Sequence, residues 1–463
     1  MPKRRPAALT FALAAALLAW GCRRPAPPAA SRPGAAPPPA PLDYGSRIAP
    51  LLAAHCTGCH RPGGIAPMAL TTYEQVREHG AAIARATQSR SMPPWLPDEG
   101  ACADLKGTRA LPDDDVRAIA AWVERGMPRG PAPGGAGGGA APPAGGAAAA
   151  GGRGLRAGEA QIVVAPKEPY VPRPGRADDY HCFVLEPPLA ASADVIGVHV
   201  APGAPSLVHH VLLFEVSAAA ARKLDALDRA EPGPGYTCFG GPGINPAFRF
   251  AASASAPLAY DLQLVAAWAP GGGAAGPVAL PPGTALRLRR GSRLVMQVHY
   301  SLHNAAPGAS DRTRVELFTG DAAGLRQGLW VPLADRSFRV PPGAGPDDPR
   351  AVAGARLGVG LPLKAYGVAP HMHLRGKSIR VEASAPAPSC LVDVPRWDFH
   401  LQEAFWLERP VLASEFALRC TYDNRPEAQP EARGGGRAKA RELRWGEGTD
   451  DEMCLAFLYV TLP

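Results

Sequence analysis

TALRLRRGSRLVMQVHYSLHN, residues 284–304, holds two short apolar runs on either side of Gly291 and no helical period. It reads as strands joined by a turn. The same pattern recurs in ADVIGVHVAPG (193–203), HHVLLFEV (209–216), SIRVEAS (378–384), CLVDVPRWDF (390–399) and MCLAFLYVTLP (453–463). Many short strands punctuated by Pro and Gly predict β-sandwiches. The length of the region favours two, with a break near residue 325 separating 159–325 from 326–463.

The chain has 463 residues, which predicts two or three domains. Charged residues make up 19%, while Gly (52) and Pro (54) are abundant, a balance that favours loops and short strands over long helices. The net charge of +8 comes from Arg scattered along the chain, so no nucleic-acid partner is indicated.

Residues 42–127 have a different character. Ser46–Ala54, Leu70–Thr87 and Pro112–Arg125 show helical spacing, the last with acids at its start and an apolar stripe through Val116, Ile119, Ala120 and Val123. A small all-α domain is expected here. It is followed by a Gly/Ala/Pro-rich linker at 128–158, a coil with a span of roughly 30 Å. Such a linker would keep the two parts at an effective concentration of order mM.

The N-terminus predicts export. Lys3, Arg4 and Arg5 precede an apolar stretch from Ala7 to Ala19 that is too short to cross a bilayer. Gly21-Cys22 then fits a lipoprotein-type signal over 1–22, with Cys22 lipidated and 23–41 a Pro/Ala-rich tether; an ordinary secretory signal is the alternative. The expected location is periplasmic or cell-surface, anchored to a bacterial membrane by lipid. Outside the cytoplasm disulfides persist. Of nine cysteines, Cys102, Cys182, Cys238, Cys390, Cys420 and Cys454 remain once Cys22 and the CTGCH pair are set aside, enough for three disulfides of unfixed pairing.

Cys56-Thr-Gly-Cys59-His60 is a haem-attachment motif: two thiols bond covalently to haem vinyl groups, and the adjoining imidazole ligates iron. No second pair of zinc ligands lies nearby to support a zinc reading. One covalently bound haem c is therefore expected, with Met92 as the second axial ligand and Met68 as its rival. The region resembles the small class I cytochromes c.

Six further residues have metal-ligand chemistry: His209, His210, His299, His371, His373 and Met453. Residues two apart on a strand share a face, so His371 and His373 make half a site while Met372 points away. Met453 could complete it, because a thioether suits Cu(I). His209 and His210 are adjacent, so joint ligation requires a bulge or a strand start. His299 would be their third partner.

The order HH…QVHY…HxH…EMC over residues 209–454 resembles the copper type II, ascorbate-dependent monooxygenases, the family of peptidylglycine α-hydroxylating monooxygenase and dopamine β-hydroxylase. HHVLLFE, QVHYS, HMHLRGK, CTYDN and DEMC each match in sequence and order. The resemblance covers residues 165–463. It implies two jelly-roll-like sandwiches facing each other across a cleft, each holding one copper. His209, His210 and His299 would bind the electron-storing copper. His371, His373 and Met453 would bind the catalytic copper that activates oxygen. A Cys420–Cys454 disulfide is implied, and Cys182–Cys238 less directly; Cys102 and Cys390 have no assigned partners.

The activity implied is hydroxylation of an activated C–H bond of a small organic substrate by O2, with electrons passing through the fused cytochrome from an ascorbate-like reductant or a redox protein. A non-catalytic electron-transfer or copper-binding protein on the same fold is the alternative. The amidating members carry Arg two residues before the HxH motif, and Asn and Tyr after the EMC motif. Here these positions are Ala369, Leu455 and Phe457. Without a carboxylate anchor, the resemblance implies an apolar or aromatic substrate rather than a peptide C-terminus.

Overall fold

A computed structural model describes residues 41–463, apart from 58, 63–65, 67, 99, 101, 132–153, 176–177, 239–240, 245–247, 250–258, 270–275, 303–305, 307, 322, 400, 431–436, 447 and 449. The expected signal, Cys22 and the tether up to residue 40 lie outside the described residues, as does the 132–153 part of the linker. The protein is mostly β-sheet with few helices.

Helices form where the local signals ask for them. A π-helical turn at Tyr44–Ile48 runs into the helix Ala49–His55. Tyr73–Gln88 starts at a reciprocal capping box between Thr72 and Gln75, which satisfies backbone N–H groups that the first turn leaves unpaired. Asp113–Glu124 has three aspartates in its first turn, where the helix dipole favours negative charge. These elements bury Ile48, Leu52, Val76, Ile119 and Trp122 in a core of their own.

The β part contains a sheet of five strands in the order Tyr236–Thr237, Asp178–Leu185, Arg293–Ser301, Val208–Val216 and Leu262–Trp268. It shares a core with part of a larger sheet: Val211, Leu213 and Val295 from the first meet Leu286 and Leu317 from the second. A second core gathers Leu329, Val381, Leu391, Phe416 and Leu458.

The larger sheet has eleven strands and runs through both halves. Arg326–Asp335 makes the connection. Its first residues pair in parallel with Thr284 and Ala285, and the strand then pairs antiparallel with Cys454–Thr461 from Gly328 to Asp335. Beyond it come Val352–His371, Phe405–Tyr422, Gly376–Ala385 and Ser389–Val394. Three second-half rings, Trp330, Trp406 and Tyr459, belong to the first core, and the Tyr459 hydroxyl lies 3.1 Å from Thr284 Oγ1.

Two features depart from the sequence reading. Residues 218–230 form a helix, capped by Ser217 and packed through Ala221 and Leu224, in a region expected to be strands and turns. The stretch between the helices Tyr73–Gln88 and Asp113–Glu124 also leaves the helical unit. Leu105 bridges to Leu407, Asp98 N–H donates to Asp393 O, and Ala103 N–H donates to Cys390 O.

Three disulfides are present: Cys182–Cys238, Cys420–Cys454 and Cys102–Cys390. The third assigns both cysteines that had no expected partner, and ties the helical unit to the strand Ser389–Val394. Three disulfides point to an oxidising, exported setting. No helix among the described residues is long and apolar enough to cross a membrane.

Candidate metal centre

The first histidine set sits where three neighbouring strands of the five-stranded sheet meet. His299 pairs with His210 on one side and Tyr180 on the other. The next partner of Tyr300 is Val208, so His209 is the extra residue of a β-bulge. The bulge turns two adjacent imidazoles, which a regular strand would send to opposite faces, towards one point. Ligand nitrogens of His209, His210 and His299 all lie within 4.8 Å of one another.

The orientation of this trio is set by its surroundings. Tyr180 stacks flat on His299 with ring centroids 4.1 Å apart. His299 Nε2 lies 2.9 Å from Asp178 Oδ1, so that nitrogen donates and Nδ1 keeps its lone pair. His299 Nδ1 faces His210 Nδ1 at 3.4 Å. Nitrogens each about 2 Å from a shared ion lie about 3.3–4 Å apart, so the pair is spaced as a metal requires. Burial holds His210 well below the ordinary imidazole value, and the neighbouring His299, His209, His371 and His373 add to the effect.

The second set stands on the end of the long strand Val352–His371. The His371 and His373 rings are 5.0 Å apart at 88°, and Met372 is fully buried in the second core. Both imidazoles have their Nδ1 occupied. His371 Nδ1 is 2.6 Å from Gln402 Oε1, and His373 Nδ1 is 3.2 Å from Asp451 O. Gln402 Nε2 donates to Phe399 O at 2.7 Å, which fixes the amide so that its oxygen faces His371. Each histidine therefore presents Nε2 as the lone-pair atom. Burial lowers His371, and burial with His371 beside it brings His373 to about 3, so both are neutral at physiological pH.

Met453 is buried just before the strand Cys454–Thr461. His371 pairs with Leu455, the last pair of the two strands, and Glu452 and Asp451 just before Met453 contact His373. The Cys420–Cys454 disulfide and a 2.8 Å hydrogen bond from the Tyr422 hydroxyl to Met453 O hold this segment.

Glu452 was not singled out by sequence reasoning, although DEMC contains it. Its fully buried carboxylate accepts the backbone N–H of His373 at 3.0 Å and that of Arg375 at 2.6 Å, and Arg375 Nε lies 3.7 Å away. Burial raises it to about 7 against the pull of Arg375 and the backbone donors. It closes the HMH turn onto the DEM segment. Asp178, Tyr180, Phe399 and Gln402 likewise carry no local signal of their roles.

Phe399 connects the two sets. Its ring stacks on His209 at 5.2 Å and meets His373 edge-on at 5.7 Å. The resemblance implies a cleft between the sets; a phenyl ring bridges them here.

In the helical unit, a tight turn after Ala49–His55 brings Cys56, Cys59 and His60 together, with Cys59 N–H and His60 N–H both donating to Cys56 O, at 3.1 and 2.9 Å. His60 Nδ1 is 3.1 Å from Met68 O, which leaves Nε2 to carry the lone pair of the neutral ring. Cys56 and Cys59 are free, and burial together with Cys59 raises Cys56 to about 12. Met68 packs beside the helical core, whereas Met92 is 43% exposed.

No family model matches the chain, and no curated protein matches it. Among solved structures, an allantoicase is 11% identical, covering 57% of this chain and 81% of its own, with a TM-score of 0.16. A Paenibacillus xanthan lyase is also 11% identical, covering 67% of this chain and 26% of its own, with a TM-score of 0.15. Likenesses of this size carry no argument about fold or activity.

Proposed function

We propose that the chain is an exported haem–copper monooxygenase that hydroxylates an activated C–H bond of a small organic substrate with O2. Supporting this reading is the way two histidine sets present defined nitrogens, Nδ1 from His299 and Nε2 from His371 and His373, with the other nitrogen engaged in each case. Oriented, neutral imidazoles are what a redox metal site needs. Met453 follows directly on Glu452, which holds the His373 backbone, and a thioether in the donor set would favour copper.

Copper would supply one-electron redox chemistry and a binding position for oxygen. The residues of the chain do the rest. His209, His210 and His299 hold one ion, and His371, His373 and Met453 the other. Asp178 and Gln402 fix tautomers, Glu452 locks the backbone between the second set's ligands, and Phe399 keeps water from the space between the sets. Cys56, Cys59 and His60 would hold one haem c, with Met92 as second axial ligand and Met68 as its alternative. In this reading the helical unit is a class I-like cytochrome c domain, the β halves are jelly-roll-like, and Cys22 carries a lipid anchor.

Metal analysis of the exported protein tests the proposal. Two coppers and one haem per chain are expected, with ascorbate-reduced protein reoxidised by O2 only when substrate is present. Unchanged copper content after His371→Ala with Met453→Ala would overturn the site assignment. Substrate-independent reoxidation at full rate would favour a simple electron carrier.

A further inference from the structure

We propose that Arg109 is a positioning residue for the His371–His373 centre. From the stretch that leaves the helical unit it fixes Glu403, and with it the adjoining Gln402 that sets the tautomer of His371. The inference rests on the metal-binding reading above and extends it to a residue far from the ligands in sequence.

The contact is specific. Arg109 grips Glu403 with both terminal nitrogens, Nη1 to Oε2 at 2.9 Å and Nη2 to Oε1. The two side chains are only 16% and 13% exposed. A two-point fork fixes direction as well as distance, which a single ammonium contact does not. Arg109 is itself held: its Nε donates to Pro94 O at 3.0 Å, and its guanidinium lies over Trp95 at 5.2 Å. Trp95 in turn meets Phe405 edge-on at 5.6 Å.

Around this grip the 95–109 segment is fastened to the second half. The Cys102–Cys390 disulfide joins them, Lys106 N–H donates to Trp406 O at 2.7 Å, and Glu408 N–H donates to Asp104 O at 2.8 Å. Glu403 ends the short connection that carries Phe399 and Gln402 before the strand Phe405–Tyr422 begins. That connection has little regular structure of its own. Among the contacts that hold it are Trp397 N–H to Lys377 O, the turn Leu401 N–H to Asp398 O, Gln402 to Phe399 O, the Phe399 ring contacts, and the Arg109 fork at its end. Loosening the fork leaves the Gln402 amide held by Phe399 O alone, and weakens the acceptor that keeps the His371 proton on Nδ1.

The test uses the full chain and cuprous ion alone. His209→Ala with His210→Ala leaves the second set as the binding site, and His371→Ala with His373→Ala leaves the first. Affinity is read by competition with a chromogenic Cu(I) chelator, and the His371 ring by nitrogen NMR. Adding Arg109→Ala is expected to weaken the second set roughly ten- to a hundredfold, the scale of losing an outer-shell partner, and to leave the first unchanged. The His371 signals should move from the Nδ1–H form towards a tautomer mixture. The charge exchange Arg109→Glu with Glu403→Arg should recover affinity. Arg109→Lys, which keeps the charge and loses the fork, should give an intermediate loss in a folded chain. Unchanged affinity in Arg109→Ala, equal weakening of both sets, or no recovery on charge exchange overturns the proposal. A parent form that binds no cuprous ion at the second set overturns the metal reading itself, a separate result.

Discussion

The ring of Phe399 stacks on that of His209 with centroids 5.2 Å apart and meets the ring of His373 edge-on at 5.7 Å. One side chain thus touches a member of each histidine set. Phe399→Ala removes that ring and opens room for water. The variant should keep its copper content and lose about 3 kcal/mol of stability, the lower end for a buried Phe truncated to Ala. Its reduced form should consume O2 faster without substrate, measured with an oxygen electrode. An unchanged substrate-free rate would remove Phe399 from the functional account.

Asp178 bears on the first set through His299. Its carboxylate accepts from His299 Nε2 and so fixes which nitrogen carries the lone pair in the neutral ring. Asp178→Asn should lower Cu(I) affinity at the His209–His210–His299 set roughly tenfold and spare the second set. Chelator competition on the site-selective forms measures both.

Glu452 and Arg375 form a buried ion pair beneath the second set. Glu452→Ala strands the backbone N–H groups of His373 and Arg375 and removes the buried carboxylate beside Arg375, whose guanidinium keeps the Asp450 carbonyl. The expected cost is about 3–5 kcal/mol, read from urea or guanidinium unfolding. Glu452→Gln should cost less, since its amide oxygen still accepts one N–H. Equal stability for Glu452→Ala and the parent would contradict the burial argument.

Asp179 supplies a pH test in the strand that frames His299. Burial raises its carboxyl, but hydrogen bonds from the Arg173 side chain and backbone and from Tyr170 outweigh that and hold it below 3.8. The folded chain therefore binds this proton less readily than the unfolded chain. Its stabilisation is present above the ordinary carboxylate value and is lost as pH falls through the lowered folded value. Asp179→Asn should lower the urea midpoint at pH 7 and reduce the further drop between pH 5 and pH 3. A parallel acid limb in parent and variant would argue against it.

Much of this arrangement is legible in local sequence because its signals are local. Apolar runs between Pro and Gly mark the strands, and joint use of the adjacent His209 and His210 calls for a bulge or a strand start, of which the register shift at Tyr300 is the former. The helix Ala218–Ala230 is less visible, because its Ala-rich stretch has few large apolar residues to reveal a period, although Ser217 marks its start. Partners set by long-range packing leave no local trace. Cys102 and Cys390 are 288 residues apart. Nothing around Arg109 announces Glu403, and nothing near Gln402 announces His371. Asp178 and Glu452 look like ordinary acids at strand ends until the register brings imidazoles beside them.

The eleven-stranded sheet bears on how the two histidine sets can be separated. A cut near residue 325 follows the division of the two cores, yet it severs the sheet beside its parallel join at Thr284–Ala285 and strips Trp330, Trp406 and Tyr459 from their seat in the first core. Neither fragment would then have a clean apolar boundary: one gains a hole and the other a bare aromatic tripod, a surface prone to self-association. The halves are better regarded as co-folding than as beads on a string. Experiments on single sites therefore belong on point variants of the intact chain.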